Sequence, residues 1–73
     1  HNCILRQNSD LCAGTILCGS VEIGRNSYIA PSATILNQLS VGKDAYVGVA
    51  SNVLRRVKDG QRVFGNPAAP ILF

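Results

Sequence analysis

Histidine occurs once, at position 1, and Gly19, Asn37 and Arg55 follow it at intervals of eighteen residues. In a fold that stacks positions eighteen apart, one edge would carry an imidazole, a residue without a side chain, an amide and a guanidinium. Those are the parts of an acyl-transfer site. An imidazole serves as general base near neutral pH. The backbone N–H of Gly19, about 5 Å from it, is free to meet a developing oxyanion. Asn37 and Arg55 then continue a groove toward positive charge. Asn2 can orient the imidazole by hydrogen bonding but cannot stabilise imidazolium with a charge. The same residues also fit a plain corner, with an exposed His1, a turn-forming Gly19 and Asn2 as a natural corner residue. The types alone do not choose between the two.

The stacking that this column needs is written elsewhere in the chain. Leu5, Leu11, Leu17, Ile23, Ile29, Ile35, Val41, Val47 and Val53 recur at an interval of six without an insertion. Neither a helix near 3.6 residues per turn nor an alternating strand produces such a period. Counting each hexad from its aliphatic residue, the fifth position is mostly small: Ser9, Thr15, Val21, Ser27, Ala33, Leu39, Ala45, Ser51 and Val57. First and fifth positions point to one side of an extended segment, and a large-plus-small pair suits a narrow interior. The sixth position is polar or mixed, as at Asp10, Glu22, Tyr28, Thr34, Ser40, Tyr46 and Asn52, and faces outward. The fourth carries Asn2, Asn8, Gly14, Asn26 and Asp44, types that tolerate positive φ at a tight corner. Each hexad is thus a short strand and a corner. Three strands per turn is the smallest polygon that closes around side chains, so nine hexads make three coils of 18 residues. Residue n then lies above n minus 18 at about 4.8 Å.

Composition agrees with a stacked repeat. The chain has 73 residues, nearly half of them apolar, without Trp or Met and with two Tyr and two Phe. A domain of this size needs stacking or association to complete its core. There is no apolar run long enough for a membrane span and no basic-then-apolar leader. Cys3, Cys12 and Cys18 are odd in number and in no metal spacing, which points to reduced thiols in the cytoplasm and no metal site. Cys12 and Cys18 fall on different sides of the coil, beyond disulfide reach, and Cys3 faces inward. The net charge of +3 gathers at Lys43, Arg55, Arg56, Lys58 and Arg62, either as a solvated face or to meet an anion. No aromatics interleave with it, so nucleic acid is not an expected partner. After Val57 the period ends; Lys58-Asp59-Gly60 and Gly65-Asn66-Pro67 read as turns around a short strand at Arg62 to Phe64, and Ile71-Leu72-Phe73 is an apolar tail.

The units Ile23-Gly24-x-x-Ser27-x, Ile29-Ala30-x-x-Ala33-x, Val41-Gly42-x-x-Ala45-x and Val47-Gly48-x-x-Ser51-x resemble the hexapeptide repeat of the left-handed parallel β-helix acyltransferases. The usual rule for parallel crossovers favours right-handed coils, and this family is an exception to it. The resemblance covers 1–58 as repeats and extends to Gly65-Asn66-Pro67-Ala68, similar to a C-terminal loop common in those enzymes. It implies an all-β, left-handed parallel β-helix of about three coils, with 59–73 as a C-terminal loop and tail. Within the family, His1-Asn2-Cys3 followed by Cys18-Gly19-Ser20-Val21-Glu22-Ile23-Gly24 is most similar to sugar acetyltransferases of the sialic-acid O-acetyltransferase and bacillosamine-pathway N-acetyltransferase group.

That resemblance assigns the general base to His1 and the oxyanion donor to Gly19, with Asn2 where relatives have a carboxylate. Asp10 matches a second histidine near the acyl-donor thioester. Pro31 and Val49, from the column Ala13, Pro31, Val49, are placed on the pantetheine groove between subunits of a homotrimer. Asn37 is grouped with the residues that hold acetyl-coenzyme A, and Arg55 or Arg56 and Pro67 with its adenine and phosphates. The implied function is acetyl-coenzyme A-dependent transfer to an amino or hydroxyl group of a sugar or nucleotide-sugar. A non-catalytic trimerisation or scaffold β-helix is the alternative. A carbonic anhydrase of this fold needs three zinc-binding histidines, and the chain has one. Because the chain starts in mid-hexad at His1, it is expected to be part of a longer protein with an N-terminal acceptor-binding domain.

Overall fold

In the computed structural model, residues 2–71 are described. Nine two-residue strands carry the repeat: β1 Ile4–Leu5, β2 Asp10–Leu11, β3 Ile16–Leu17, β4 Glu22–Ile23, β5 Tyr28–Ile29, β6 Thr34–Ile35, β7 Ser40–Val41, β8 Tyr46–Val47 and β9 Asn52–Val53. They sort by every third strand into three parallel sheets, β1-β4-β7, β2-β5-β8 and β3-β6-β9. Leu5 pairs with Ile23, Leu11 with Ile29 and Leu17 with Ile35, so the register is the expected eighteen residues.

The corners close this polygon. Positive φ occurs at the fourth position of every described hexad corner: Asn2 (58°), Asn8 (60°), Gly14 (76°), Ser20 (53°), Asn26 (59°), Ser32 (63°), Gln38 (64°), Asp44 (57°) and Ala50 (55°). Five of these follow from residue type; Ser32, Gln38 and Ala50 are held there by the stack. The fourth-position N–H donates to the third-position carbonyl one coil below, as from Asn26 to Gln7 (3.0 Å), Gln38 to Gly19 (2.8 Å) and Ala50 to Pro31 (2.9 Å). That bond offsets a backbone conformation costing about 1–2 kcal/mol in a non-glycine residue.

Inside, Val21, Ile23, Ile29, Ala33, Ile35, Val41, Ala45, Val47, Val53, Val57 and Val63 form one buried cluster. Buried Ser27 and Ser51 are both satisfied. The Ser27 hydroxyl donates to the Gly42 carbonyl and accepts from Ala45 N–H, and the Ser51 hydroxyl accepts from Gly65 N–H at 3.2 Å. Leu5, in the first coil, has a coil on one side only and stays 52% exposed.

Above β9 the coil does not stop but shortens. Val57 bridges Val41, and Arg62–Val63 pairs with Tyr46–Val47, each sixteen residues apart instead of eighteen. The unit starting at Val53 has four residues, after which Val57 and Val63 resume the six-residue step. Gly60, at φ 70°, makes the next corner and donates to the Lys43 carbonyl at 2.8 Å. A Cβ on Gly42 would lie 2.5 Å from Asp59 N, so a glycine lets the short coil settle onto the one below. β10 (Arg62–Gly65) extends the second sheet and turns through Asn66–Pro67 into antiparallel β11 (Ala68–Pro70). The 62–64 strand and both turns lie where the sequence predicts them.

Replacing Ala50 by glycine should relieve the cost of φ 55°. Its greater unfolded-state entropy offsets part of the gain, so urea unfolding should show about 1 kcal/mol more stability at unchanged m.

Candidate active site

The corner between the third and first sheets carries the chemical column. His1 lies outside the described residues. Asn2 is exposed at a corner with φ 58°. Gly19 and Asn37 are brought together, lining a depression of about 410 Å³ with Cys18, Ser20 and Gln38. Gly19 is buried, so its backbone is reached only from within that depression.

What the corner offers follows from the ladder. Second-position N–H groups bond across coils, as Cys18 to Ile35 (3.0 Å) and Gly24 to Val41 (2.7 Å), and fourth-position groups bond downward. Among the described residues, no third-position N–H has a backbone acceptor. This explains why Pro31 is tolerated at a third position, since the missing donor is not needed there. It also leaves the Gly19 N–H available. The same position one corner away shows what such a donor accepts: Lys43 N–H bonds to the Asp59 carboxylate at 3.0 Å, a negatively charged oxygen seated on the edge of the coil. The bond from the Gln38 N–H directs the Gly19 carbonyl along the stack toward the next coil.

The other predicted residues sit apart from this pair. Pro31 and Val49 share the corner between the second and third sheets; Val49 is 53% exposed and lines a second depression of about 410 Å³ with Tyr46, Gly48, Arg62, Phe64 and Ile71. Gly48 has no Cβ because the Phe64 ring covers it, at 2.5 Å from where a Cβ would stand. Asp10 is exposed on the second sheet, in register with Tyr28. Arg55 and Pro67 line a third cleft, of about 540 Å³, above β9. The eighteen-residue register runs through Ile35–Val53, two residues short of Arg55, so Asn37 and Arg55 do not share a depression. Within one chain, the predicted site is therefore divided among edges.

Sequence reasoning placed Tyr28 and Tyr46 outward and gave them no role. They stack at 5.4 Å between centroids with rings 8° apart, and the Arg62 guanidinium lies 4.9 Å from the Tyr46 ring centre. Their spacing of eighteen at the sixth position was the available signal. Cys12 Sγ and the Tyr28 hydroxyl lie 3.2 Å apart. No disulfide joins Cys3, Cys12 and Cys18, and no group of three or more His, Cys, Asp and Glu is disposed to hold a metal among the described residues. Nor does any helix there have the length and apolar character to cross a membrane.

Solved structures share this architecture. The acetyltransferase domain of PglB from Neisseria gonorrhoeae FA1090 superposes with a TM-score of 0.96 at 32% identity, covering 97% of this chain and 35% of that one. The fold is that of the hexapeptide-repeat acetyltransferases. That domain is also solved in complex with acetyl coenzyme A. A mutant perosamine N-acetyltransferase from Caulobacter crescentus, solved with CoA and GDP-perosamine, gives a TM-score of 0.96 at 25% identity over 99% of this chain and 34% of that one. The serine acetyltransferase of Neisseria gonorrhoeae gives 0.89 at 28% identity over 96% and 31%. This hexapeptide-repeat chain thus spans about a third of the length of these neighbours, and its coils are the left-handed β-helix expected from the motif. No protein-family model and no curated protein sequence matches it.

The Tyr28 hydroxyl titrates above its ordinary value of 10.0, first because it hydrogen-bonds Cys12 and then because ionised Cys12 repels the phenolate. In a Tyr46→Phe background, ultraviolet titration should show Tyr28 ionising above pH 10, and Cys12→Ala should bring it back toward 10.

Proposed function

We propose that this chain is the acyl-donor-binding β-helix of an acetyl-coenzyme A-dependent acetyltransferase whose acceptor is an amino or hydroxyl group of a sugar, as a nucleotide-sugar. The observation that carries the reading is likeness along nearly the whole chain to sugar acetyltransferases solved with CoA or acetyl coenzyme A. A Gly19 N–H without a backbone acceptor among the described residues is what such chemistry requires.

In this reading His1, oriented by Asn2, removes the proton from the acceptor nitrogen or oxygen as it attacks the thioester carbonyl. The new C–N or C–O bond forms, and the carbonyl oxygen becomes an oxyanion that the Gly19 N–H stabilises. The C–S bond then breaks, and coenzyme A leaves as thiolate, to be protonated by the imidazolium. No covalent intermediate on the protein is needed. Asp10 stands in for the second histidine near the thioester.

The division of residues among edges supports a homotrimer. One copy would present Gly19 and Asn37, and a neighbour would present its Pro31–Val49 corner as the other wall for the pantetheine arm. Three cysteines without a disulfide fit a cytoplasmic enzyme.

His1→Ala should lower turnover by about 10²–10⁴-fold while acetyl-coenzyme A binding stays almost intact. Unchanged turnover would remove His1 from the reaction. Calorimetry without saturable acetyl-coenzyme A binding would leave the scaffold reading instead.

A further inference from the structure

The corner between the first and second sheets carries a donor of the same kind as Gly19, set among charges. Its third positions are Gln7, Arg25, Lys43 and, in the shortened coil, Asp59. The Asp59 carboxylate reaches down to the Lys43 N–H at 3.0 Å. One coil lower, the Arg25 N–H meets no acceptor among the described residues, and the side chain above it is that of Lys43, which has none to offer. The Gly24 carbonyl is turned into the corner, where it accepts from the Ser27 N–H at 3.3 Å. A trans peptide carries its N–H opposite its carbonyl, so the Arg25 N–H points out of the turn.

The peptide between Gly24 and Arg25 borders a depression of about 400 Å³ that Arg6, Glu22, Lys43 and Asp59 also line. Both carboxylates are engaged: Glu22 pairs with Arg6 at 2.9 Å, and Asp59 holds the Lys43 N–H. The Arg25 and Lys43 side chains form no ion pair among the described residues. Three cations against two carboxylates leave one positive charge in excess, with Asp44 at the same corner but outside the depression. That excess matches a monoanion. A carboxylate also fits in shape, since one oxygen can accept from the Arg25 N–H and the other from a guanidinium or ammonium group. A phosphate dianion would exceed the charge and meet two fixed carboxylates at close range. The depression shares no residue with that of Gly19, which lies on another corner.

We infer that this edge is a binding site for a monocarboxylate, held by the Arg25 N–H and by the Arg25 and Lys43 side chains. Asp59 shows the arrangement one coil above, where a carboxylate of the chain itself occupies the equivalent amide. The ligand is a small organic acid or an Asp or Glu side chain of a bound polypeptide, which present the same two oxygens.

NMR of the backbone amides of the full chain tests this, with sodium acetate or the peptide acetyl-Gly-Asp-Gly-amide added at constant ionic strength. The Arg25 N–H should shift downfield and saturate with at least one of the two, and the tighter ligand identifies the source. The Lys43 N–H should stay nearly fixed, because Asp59 already holds it. Arg25→Pro deletes the donor at a third position, where Pro31 shows that the coil accepts proline. Read at the Gly24 and Asn26 amides, it should weaken binding at least about tenfold, as expected for loss of a charge-assisted contact. Arg25→Gln keeps the N–H and should weaken binding less. Absence of a saturable Arg25 shift with either ligand overturns the inference without recourse to any variant. The same shift with sodium chloride alone overturns it too, as does unchanged affinity in a folded Arg25→Pro protein.

Discussion

Everything in this molecule depends on the corner. A chain that must turn every six residues around a filled interior has to place one residue per hexad in the left-handed region, and residue type or a bond to the coil below stabilises it there. The fourth-position N–H does so by bonding downward to a third-position carbonyl, at 2.8–3.0 Å in the corners at Asn26, Gln38, Asp44 and Ala50. Because the corners from Asn26 to Ala50 all use the same bond, the coils cannot slip, and the strands can be as short as two residues. Backbone geometry carries the repeat, and side chains tune it.

That constraint also creates the chemistry. Committing second- and fourth-position amides to neighbouring coils leaves the third-position amide facing out, in a place that a rigid frame defines well. Most corners waste this donor or dispense with it, as Pro31 does. At Gly19 it lies in a depression beside Asn37, and at Lys43 the chain's own Asp59 occupies it. The oxyanion donor proposed at Gly19 would need no loop movement, because the ladder has already oriented that corner. The same logic explains why the predicted residues fall on separate edges. A three-sided coil distributes successive hexads over three corners, so a site needing both the Gly19 and the Val49 corner needs two chains.

Departures from the period are as informative as the period. Shortening one unit by two residues opens the cleft above β9 and shifts the register to sixteen. Gly42 and Gly48 are the local responses, one making room for the Asp59 backbone and the other for the Phe64 ring. The tyrosine ladder on the second sheet is another product of exact stacking, since residues without any periodic preference meet face to face once eighteen positions separate them.

Much of this was legible in the residues. The six-residue interval of aliphatics, with small partners at the fifth position, determines the strand length, the narrow interior, the number of sides and the register, because only one closed polygon satisfies them together. Asn2, Asn8, Gly14, Asn26 and Asp44 mark five corners by type alone. Ser20, Ser32, Gln38 and Ala50 do not, and for Ser32, Gln38 and Ala50 the conformation is supported by a bond to another coil that local sequence cannot show. The break after Val57 reads in the sequence as an end of the repeat, and only parallel pairing of Val63 with Val47 reveals a coil with two residues missing. For the site, spacing put Gly19 beneath Asn37 correctly. Tertiary structure alone decided that Arg55 lines a cleft with Arg56, Lys58 and Pro67 and not the depression of Gly19 and Asn37, because the shift from eighteen to sixteen residues beyond Val53 lies in the pairing of strands and not in residue type.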